Sequence, residues 1–277
     1  MSNSIRTNTA SESIRQALGK VTHDETRDYI RLASGKRITQ AGDDPAGLAI
    51  GNKLEAHVRG LRQATRNANH GISFVQTGEG ALNEISSILI RMRELGIQAA
   101  SDTYGEQERM LIDEEYQQLI LEVDRIADSS EYNGYNLLNG ENSEGLLSFQ
   151  IGPNAGEENQ IEWDANAVVS TTDELEISDL SVAEIDDARA TLENIDAAID
   201  KVSGFRAKMG ALQSRLTSTA SNLENMTIAN DEAKSRIEDT DFAETSSHLV
   251  NMRILKEAGI SALSGAHNMR TSLLKLL

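Results

Sequence analysis

Apolar residues recur every seven positions along two long stretches of the chain, with mostly polar residues between them. The first stretch follows AGDDP, where Asp44 suits a helix N-cap and Pro45 suits the first helical position. No proline follows before about residue 100, so the pattern predicts one helix from 44 to about 100. A helix of about fifty residues is roughly 75 Å long. Its seam consists of Leu54, Leu61, Ala68, Val75, Leu82 and Leu89.

The second long stretch predicts a helix from near Ser181 to about Ala233, with a similar seam formed by Ile195, Val202, Met209, Leu216 and Leu223. Between the two lies a shorter predicted helix, from about Glu106 to Ala127. A short turn, SDTYGEQ, precedes it, so the first two helices should be antiparallel neighbours. The apolar residues of the shorter helix are Leu111, Tyr116, Leu119, Ile120, Val123 and Ile126.

The middle of the chain differs in composition. The stretch SSEYNGYNLLNGENSEG is typical of turns, and LLSFQI and NQIEWDANAVV alternate partially between apolar and polar residues. These features predict a small β-hairpin near 146–170. The predicted fold is mainly α: a long antiparallel helical bundle with coiled-coil-like seams, paired N- and C-terminal helices and this hairpin region. The predicted domains are 1–43 with 237–277, and 44–180 with 181–236.

Both ends of the chain predict amphipathic helices that lie outside the bundle. The last seventeen residues, SALSGAHNMRTSLLKLL, contain no acidic residue and four leucines in the last five positions. Two paired helices cannot enclose both sides of such a wide apolar stripe. The ends therefore predict a surface for other copies or for another protein. Its candidate residues are Ile5, Ile14, Leu18, Leu32, Leu249, Leu255, Leu263, Leu273, Leu274 and Leu277.

Charge and composition narrow the classes of partner. The net charge of −18 argues against nucleic acid as a partner, although residues 1–40 and 251–277 each carry +3. No run of 18 apolar residues predicts a membrane span, and the absence of cysteine excludes disulfides and thiolate metal sites. The N-terminal sequence lacks the apolar core of a secretory signal. We therefore expect the chain in the cytoplasm, unless it leaves by a route that reads no cleavable signal.

Motifs of catalysis and cofactor binding are missing from the sequence. The five histidines form no HExxH pattern, and neither GxSxG nor GxxxxGK[ST] occurs. GEG at 78–80 lies within a helical seam and indicates close helix packing or a local bend. The acidic runs IDEEY and RIEDTDFAE favour solvated faces or helix caps over cation binding. We expect no enzyme activity, no cofactor and no metal.

Several long motifs occur in a characteristic order at both ends of the chain. At the front they are RLASGKRITQAGDDPAGLAI, NANHGISFVQTGEGALNEI, RMRELGIQAAS and EYNGYNLLNG, and at the back MGALQSRL and SRIEDTDFAETSSHLV. Over about residues 1–140 and 205–277 the chain resembles bacterial flagellin, the subunit of the flagellar filament. It departs from the family pattern at Pro45, His70 and the C-terminal AHNMRTSLLKLL, and THDETRDYI is more charged than is typical.

The resemblance implies a minimal subunit without large outer variable domains. It implies that the two terminal helices pair in the filament core, that they are disordered in the free monomer, and that subunits assemble head-to-tail into a helical filament that serves motility. It also implies type III export through the flagellar channel, largely unfolded and without a cleaved signal peptide, to an extracellular filament.

Several partners follow from the same resemblance. They are a flagellar export chaperone at about residues 236–277, hook-associated and cap proteins, sibling flagellins, and an animal Toll-like receptor that would bind exposed Arg91, Leu95 and Glu115. The alternative for these three residues is that Leu95 packs in the bundle and the charges form surface pairs. Two other functions remain open: a hook–filament junction protein and a cytoplasmic coiled-coil adaptor.

Overall fold

The computed structural model of the chain describes the backbone of residues 8–140 and 145–274, and the side chains as far as residue 268. Within these ranges the helices are α1 (Thr9–Ser34), α2 (Pro45–Ala99), α3 (Glu106–Ser129), α4 (Ile185–Glu238) and α5 (Phe242–Leu274). The strands are β1 (Glu131–Tyr132), β2 (Tyr135–Asn136), β3 (Leu146–Gln150) and β4 (Gln160–Asp164). The predicted mainly α fold is confirmed, and each predicted helix is present.

The chain divides into two compact units. The first contains the described residues up to His57 and those from Ala229 onward, and the second is Val58–Ile228. Helices α2 and α4 each contribute residues to both units. The domain boundaries expected at 43/44 and 236/237 fall inside the first unit, so the assignment of residues 1–43 and 237–277 to a separate functional domain stays a prediction.

The start of α2 agrees with the sequence prediction. Pro45 is its first residue, and the Asp44 carboxylate accepts a hydrogen bond from the Gly47 amide at 2.9 Å. The Asp44 carbonyl accepts from the Leu48 amide at 3.0 Å. Asp44 thus satisfies amide groups that the first helical turn leaves without helical partners.

The second unit has a core of apolar side chains from α2, α3, α4 and the irregular middle segment. The predicted seams of α2 and α4 supply much of it, because Leu82, Leu89, Ile195 and Val202 are fully buried. Among the apolar residues of α3, Leu111 is 66% exposed, whereas its neighbour Ile112 lies in the core. The two residues are adjacent, and the register of α3 against the bundle decides which of them is buried.

Gly78, the first glycine of the GEG triplet, lies where α2 and α4 approach each other closely. A Cβ atom at this position would lie 2.7 Å from Cε of Met209, whose side chain is buried. The interpretation of this glycine as a site of close helix packing is confirmed. By contrast, a Cβ at Gly80 would meet no atom within 4 Å.

Two antiparallel hairpins form the β structure of the described chain. The predicted one pairs β3 with β4, with Leu147 opposite Trp163 and Phe149 opposite Ile161. The second pairs β1 with β2 and was predicted only as a turn. Asn133 and Gly134 connect its strands with φ values of 54° and 81°. An Asn-Gly pair in this conformation is the usual connection of a two-residue hairpin, so the sequence did carry this signal.

The segment that leads from the hairpins to α4 is irregular and is held by two carboxylates of α3. Asp124 accepts from the Thr172 amide at 2.8 Å and from its hydroxyl at 2.7 Å. Asp113 accepts from the Val182 amide at 2.7 Å and from the Ser181 hydroxyl at 2.9 Å. These bonds satisfy polar backbone groups of a segment that supplies buried side chains to the core.

Candidate assembly surface

Helices α1 and α5 lie antiparallel in the first unit, and short-range contacts define their ends. Asn8 caps α1 by accepting from the Ser11 amide at 3.0 Å. Gly35 ends α1 with φ of 69°, a left-handed conformation that favours glycine. The Gly35 carbonyl accepts from the Thr240 amide at 3.0 Å, just before α5 begins at Phe242.

Contacts along the helix pair follow one antiparallel register. The Asn8 side chain donates to the Ala266 carbonyl at 3.3 Å. Further along α1, Cδ1 of Leu18 would lie 3.2 Å from a Cβ atom at Gly259. The predicted pairing of the terminal helices is therefore present, and glycine at 259 allows their close approach.

Charged side chains fill the next part of this seam. Glu25 and Asp28 of α1 are only 7% and 2% exposed. Glu25 pairs with Lys256 at 2.8 Å and with Arg253 at 3.9 Å, and Nδ1 of His248 lies 2.6 Å from Oδ2 of Asp28. We call these five residues the ionic segment. The sequence analysis missed it, although the charge of THDETRDYI was the available signal.

Two further contacts extend the ionic segment. The guanidinium of Arg253 lies 5.2 Å from the ring centroid of Tyr29 and donates a hydrogen bond to its hydroxyl. Arg31 lies 3.8 Å from the second oxygen of Asp28. Each buried carboxylate therefore has at least one cationic or hydrogen-bonding partner, as a buried charge requires.

The predicted assembly residues occupy different environments. Leu249 is buried, Leu255 is 51% exposed, and the others with described side chains are half-buried: Ile14, Leu18, Leu32 and Leu263. Ile5 and Leu277 lie outside the described residues, and so do the side chains of Leu273 and Leu274. The half-buried positions lie on α1 and α5, where the helix pair covers part of each side chain.

Large apolar side chains are exposed on both terminal helices. On α1 they are Tyr29 and Ile30, and on α5 they are Phe242, Val250, Ile254, Leu255 and Ile260. Single exposed apolar residues are common on protein surfaces, but several on one helix pair make it a candidate interaction surface. We call this set the exposed apolar set.

The connection from α1 to α2 is fastened to the end of α4. Lys36 pairs with the buried carboxylate of Glu238 at 3.0 Å, and this hydrogen bond raises the pKa of Lys36. The Arg37 amide donates to the Glu238 carbonyl at 2.6 Å. A Cβ at Gly51 would collide with the Glu238 carboxylate, so glycine in α2 makes room for this charge.

The three residues considered for receptor recognition do not form a common exposed site. Arg91 and Glu115 are exposed and pair at 2.8 Å, which brings α2 and α3 together. The hydrogen bond to Glu115 raises the pKa of Arg91. Leu95 is only 1% exposed and belongs to the bundle core. The expected exposure of Leu95 was wrong, and its burial agrees with the packing alternative.

Two further observations concern membrane spans and metal sites. Within the described ranges, no helix is long and apolar enough to cross a membrane. The same residues contain no group of three or more potential ligands among His, Asp and Glu side chains that could hold a metal ion.

The fold and the exposed apolar set define a class of helical protein whose two ends pair and present apolar residues. Residues 5–143 match the bacterial flagellin N-terminal helical region, and residues 192–277 match the bacterial flagellin C-terminal helical region. The chain belongs to the bacterial flagellin family.

Individual relatives match over most of their length. A flagellin of Halalkalibacterium halodurans is 38% identical over 247 residues, which are 89% of each chain. The flagellar filament core protein flaB2 of Brachyspira hyodysenteriae is 39% identical over 263 residues, 92% of each chain.

Solved structures show a similar fold. The crystal structure of Bacillus cereus flagellin has a TM-score of 0.50 and 28% identity, and covers 60% of this chain and 94% of its own. A putative flagellar hook-associated protein from Vibrio parahaemolyticus has a TM-score of 0.58 and covers 71% of this chain and 100% of its own. Its identity is 16%, so it supports the fold alone.

Proposed function

We propose that this chain is the structural subunit of a bacterial flagellar filament, and that it self-assembles by burying the exposed apolar set against other copies. The observation that carries the proposal is this exposed set on α1 and α5, in a chain that belongs to the flagellin family. The relatives named flagellin and filament core protein match nearly all of the chain. No comparable observation favours a junction protein or a cytoplasmic adaptor.

Burial of these side chains against other copies supplies a driving force for assembly. Moving an aliphatic or aromatic side chain from full exposure to full burial contributes roughly 1.5–3 kcal/mol. The side chains of the exposed apolar set are 42–65% exposed, so each has about half of this left to gain. Several such residues per subunit offset the cost of ordering and associating two helices. A head-to-tail contact that does not close on itself produces a helical filament rather than a ring.

The order of the terminal helices belongs to the same proposal. We infer that α1 and α5 become stably ordered when neighbouring copies cover them, because a two-helix pair buries little apolar area by itself. Amide hydrogen exchange tests this directly. Strong protection of α1 and α5 in fibres and weak protection in the dilute chain are expected. Equal, strong protection in both states contradicts the inference.

Seeded growth tests the assembly function. Purified chain is mixed with short filament seeds and followed by sedimentation and electron microscopy. Growth of long fibres is the expected result, whereas stable small oligomers would support the adaptor alternative. A chain that lacks residues 250–277 should keep the helicity of the second unit in circular dichroism and form no fibres. Normal fibres from the truncated chain would remove the assembly role from α5.

A pair of matched variants separates apolar burial from added charge. Val250→Glu with Ile254→Glu replaces two exposed apolar residues one helical turn apart, and should raise the concentration needed for growth at least about tenfold. Ser247→Glu with Asn251→Glu adds the same charge at exposed polar positions of α5 with the same spacing. The control should change growth much less. Equal inhibition by both pairs would attribute the effect to charge alone.

Further features of the family are proposed for this chain from its membership in that family. They are extracellular location after type III export, a chaperone bound at about residues 236–277, and contacts with hook-associated proteins, a cap and sibling flagellins. Receptor recognition at Arg91 and Glu115 also stays a prediction. It requires either that Leu95 contributes from the core or that the receptor contacts only the exposed pair.

A further inference from the structure

The seam between α1 and α5 places charge where an apolar seam would be expected. Among the residues of α1, all of which are described, the buried side chains are Ser11, Glu25 and Asp28. Large apolar residues of the same helix, Tyr29 and Ile30, are instead exposed. The two buried carboxylates meet cationic and imidazole groups of α5. Apolar contact is non-directional, whereas a buried ion pair has a defined geometry.

We propose that the ionic segment determines which helix α1 pairs with, and in which register: it selects α5 of the same chain over the other apolar helix surfaces that an assembly of many copies presents. This inference rests on the proposed function insofar as the competing surfaces belong to neighbouring copies. The pairing surface itself is defined within a single chain.

Sliding one helix along the other shows why the ionic segment discriminates. Displacement of α5 by about one turn in one direction would bring Glu25 from Lys256 to Ile260, and Asp28 from His248 to Met252. Both buried carboxylates would then face apolar residues.

Displacement in the opposite direction is equally unfavourable. It would bring Glu25 from Lys256 to Met252, and Asp28 from His248 to Glu244. One carboxylate would face an apolar residue and the other a second carboxylate. Asp28 would keep Arg31 of its own helix, but both carboxylates would lose the partners on α5 that they have in the observed register. Loss of a partner by a buried charge is destabilising, so both slipped registers are disfavoured.

The apolar contacts of the seam discriminate less. Leu18 lies against Gly259, and after a shift of one turn it would meet Leu255 or Leu263 instead. Both alternatives are apolar but larger than glycine, so a slipped pair that separates enough to admit the leucine would still bury Leu18. Orientation and register therefore depend on Glu25, Asp28 and their partners, in the way that polar groups fix register in coiled coils.

A disulfide reporter measures the register. The chain has no cysteine, so only introduced thiols react. Leu18→Cys combined with Gly259→Cys reports the observed register, and Leu18→Cys with Leu255→Cys or with Leu263→Cys reports slipped registers. Oxidation of fibres followed by non-reducing electrophoresis distinguishes intrachain bonds, which stay at monomer size, from interchain bonds. We expect the observed-register bond to form at least about tenfold faster than the other two, and within one chain.

Charge exchange then tests the ionic segment. Glu25→Lys places like charges opposite Lys256 and Arg253, and Lys256→Glu places a carboxylate opposite Glu25. Each single change should reduce the disulfide preference to about threefold or less. The double variant, Glu25→Lys with Lys256→Glu, swaps the two charges and should restore most of the disulfide preference. Simple unfolding of α1 would not explain such a recovery. The matched control is Glu12→Lys, at an exposed position of α1 that pairs with Arg15 of the same helix, and it should leave the preference unchanged.

The outcomes of this test are distinct from those of the proposed function. Undiminished preference in both single variants, or a double variant no better than the singles, overturns the role of the ionic segment even if fibres grow normally. If the unaltered chain forms no fibres, the proposed function fails, and the disulfide preference is measured in the soluble chain. Absence of a preference there also overturns this inference.

Discussion

The terminal helix pair and the bundle are both built from long amphipathic helices, but they distribute apolar and charged residues differently. The bundle buries the seams of α2 and α4 in a core that includes Leu82, Leu89 and Ile195, and pairs its charges at the surface. The helix pair buries Glu25 and Asp28 and exposes large apolar residues of α5.

This difference indicates what each region requires for stability. The bundle contains its own core and buries its main seams within one chain, although Ile90, Ile97 and Leu121 are exposed on its surface. The helix pair has both polar and apolar contacts inside, but it also leaves large apolar residues exposed, and these gain further stability only from another surface. We infer that the seam supplies the specificity of pairing and that the exposed apolar residues supply the strength of assembly.

The largest expected effect comes from replacing one leucine in each region by alanine and comparing the two variants. Leu89→Ala removes a fully buried side chain from the bundle and should lower the free energy of unfolding by about 2–5 kcal/mol. Leu255→Ala, at an exposed position of α5, should change it by less than about 0.5 kcal/mol while weakening fibre growth. Urea unfolding and seeded growth measure the two effects. Equal destabilisation by the two variants would contradict the comparison.

Loss of the cap of α2 should have a smaller effect than the loss of Leu89. Asp44→Ala removes the acceptor for the Gly47 amide and should destabilise the chain by about 1 kcal/mol. Asp44→Asn keeps an oxygen acceptor and should cost less. Thermal unfolding followed by circular dichroism compares the two variants, and an equal loss in both would show that the charge rather than the cap matters.

Packing density in the bundle can be tested with two glycines of the same helix. Gly80→Ala should stabilise the chain by about 0.5–1 kcal/mol, because the added Cβ meets no atom and helix propensity rises. Gly78→Ala should lose this gain because its Cβ displaces the buried Met209 side chain, so the variants should differ by about 1–2 kcal/mol. Denaturant midpoints measure the difference. Equal stabilisation would show that Met209 moves without cost.

The smallest expected effect is a pH dependence in the loop before α2. The Asp43 carboxylate accepts three hydrogen bonds, from the amides of Thr39 and Gln40 and from the Thr39 hydroxyl. The bond from the Thr39 amide is the main cause of the lowered pKa of this carboxyl. Its folded-state pKa lies below the unfolded-chain value. The contribution to stability is therefore present above the unfolded-chain pKa and is lost as pH falls through the folded-state pKa.

Amide exchange at Thr39 and Gln40 measures this effect locally. Protection at these two amides should decrease at acidic pH in the unaltered chain, after correction for the intrinsic exchange rate. Asp43→Ala should abolish the protection at all pH values, whereas Glu257→Ala, an exposed change in α5, should leave it intact. A pH-independent protection in the unaltered chain would contradict the assigned role of Asp43.

Local signals in the sequence were sufficient for most of the secondary structure. The cap at Asp44, the position of Pro45 and the seven-residue spacing predicted the start and extent of α2. The hairpin of β3 and β4 followed from alternation, and the Asn133–Gly134 turn carried a hairpin signal that was read only as a turn. Adjacent residues such as Leu111 and Ile112 were harder, because helical periodicity leaves the edge of a face uncertain by one position.

The sequence by itself determined the helices, their apolar faces and the membership in the flagellin family, because these depend on short-range spacing and on ordered motifs. Only the tertiary structure decided that Leu95 is buried, and that Glu25 and Asp28 meet Lys256 and His248 across the seam of α1 and α5. Those partners are more than 200 residues apart in sequence, and the register of two packed helices, rather than any local pattern, brings their charges together.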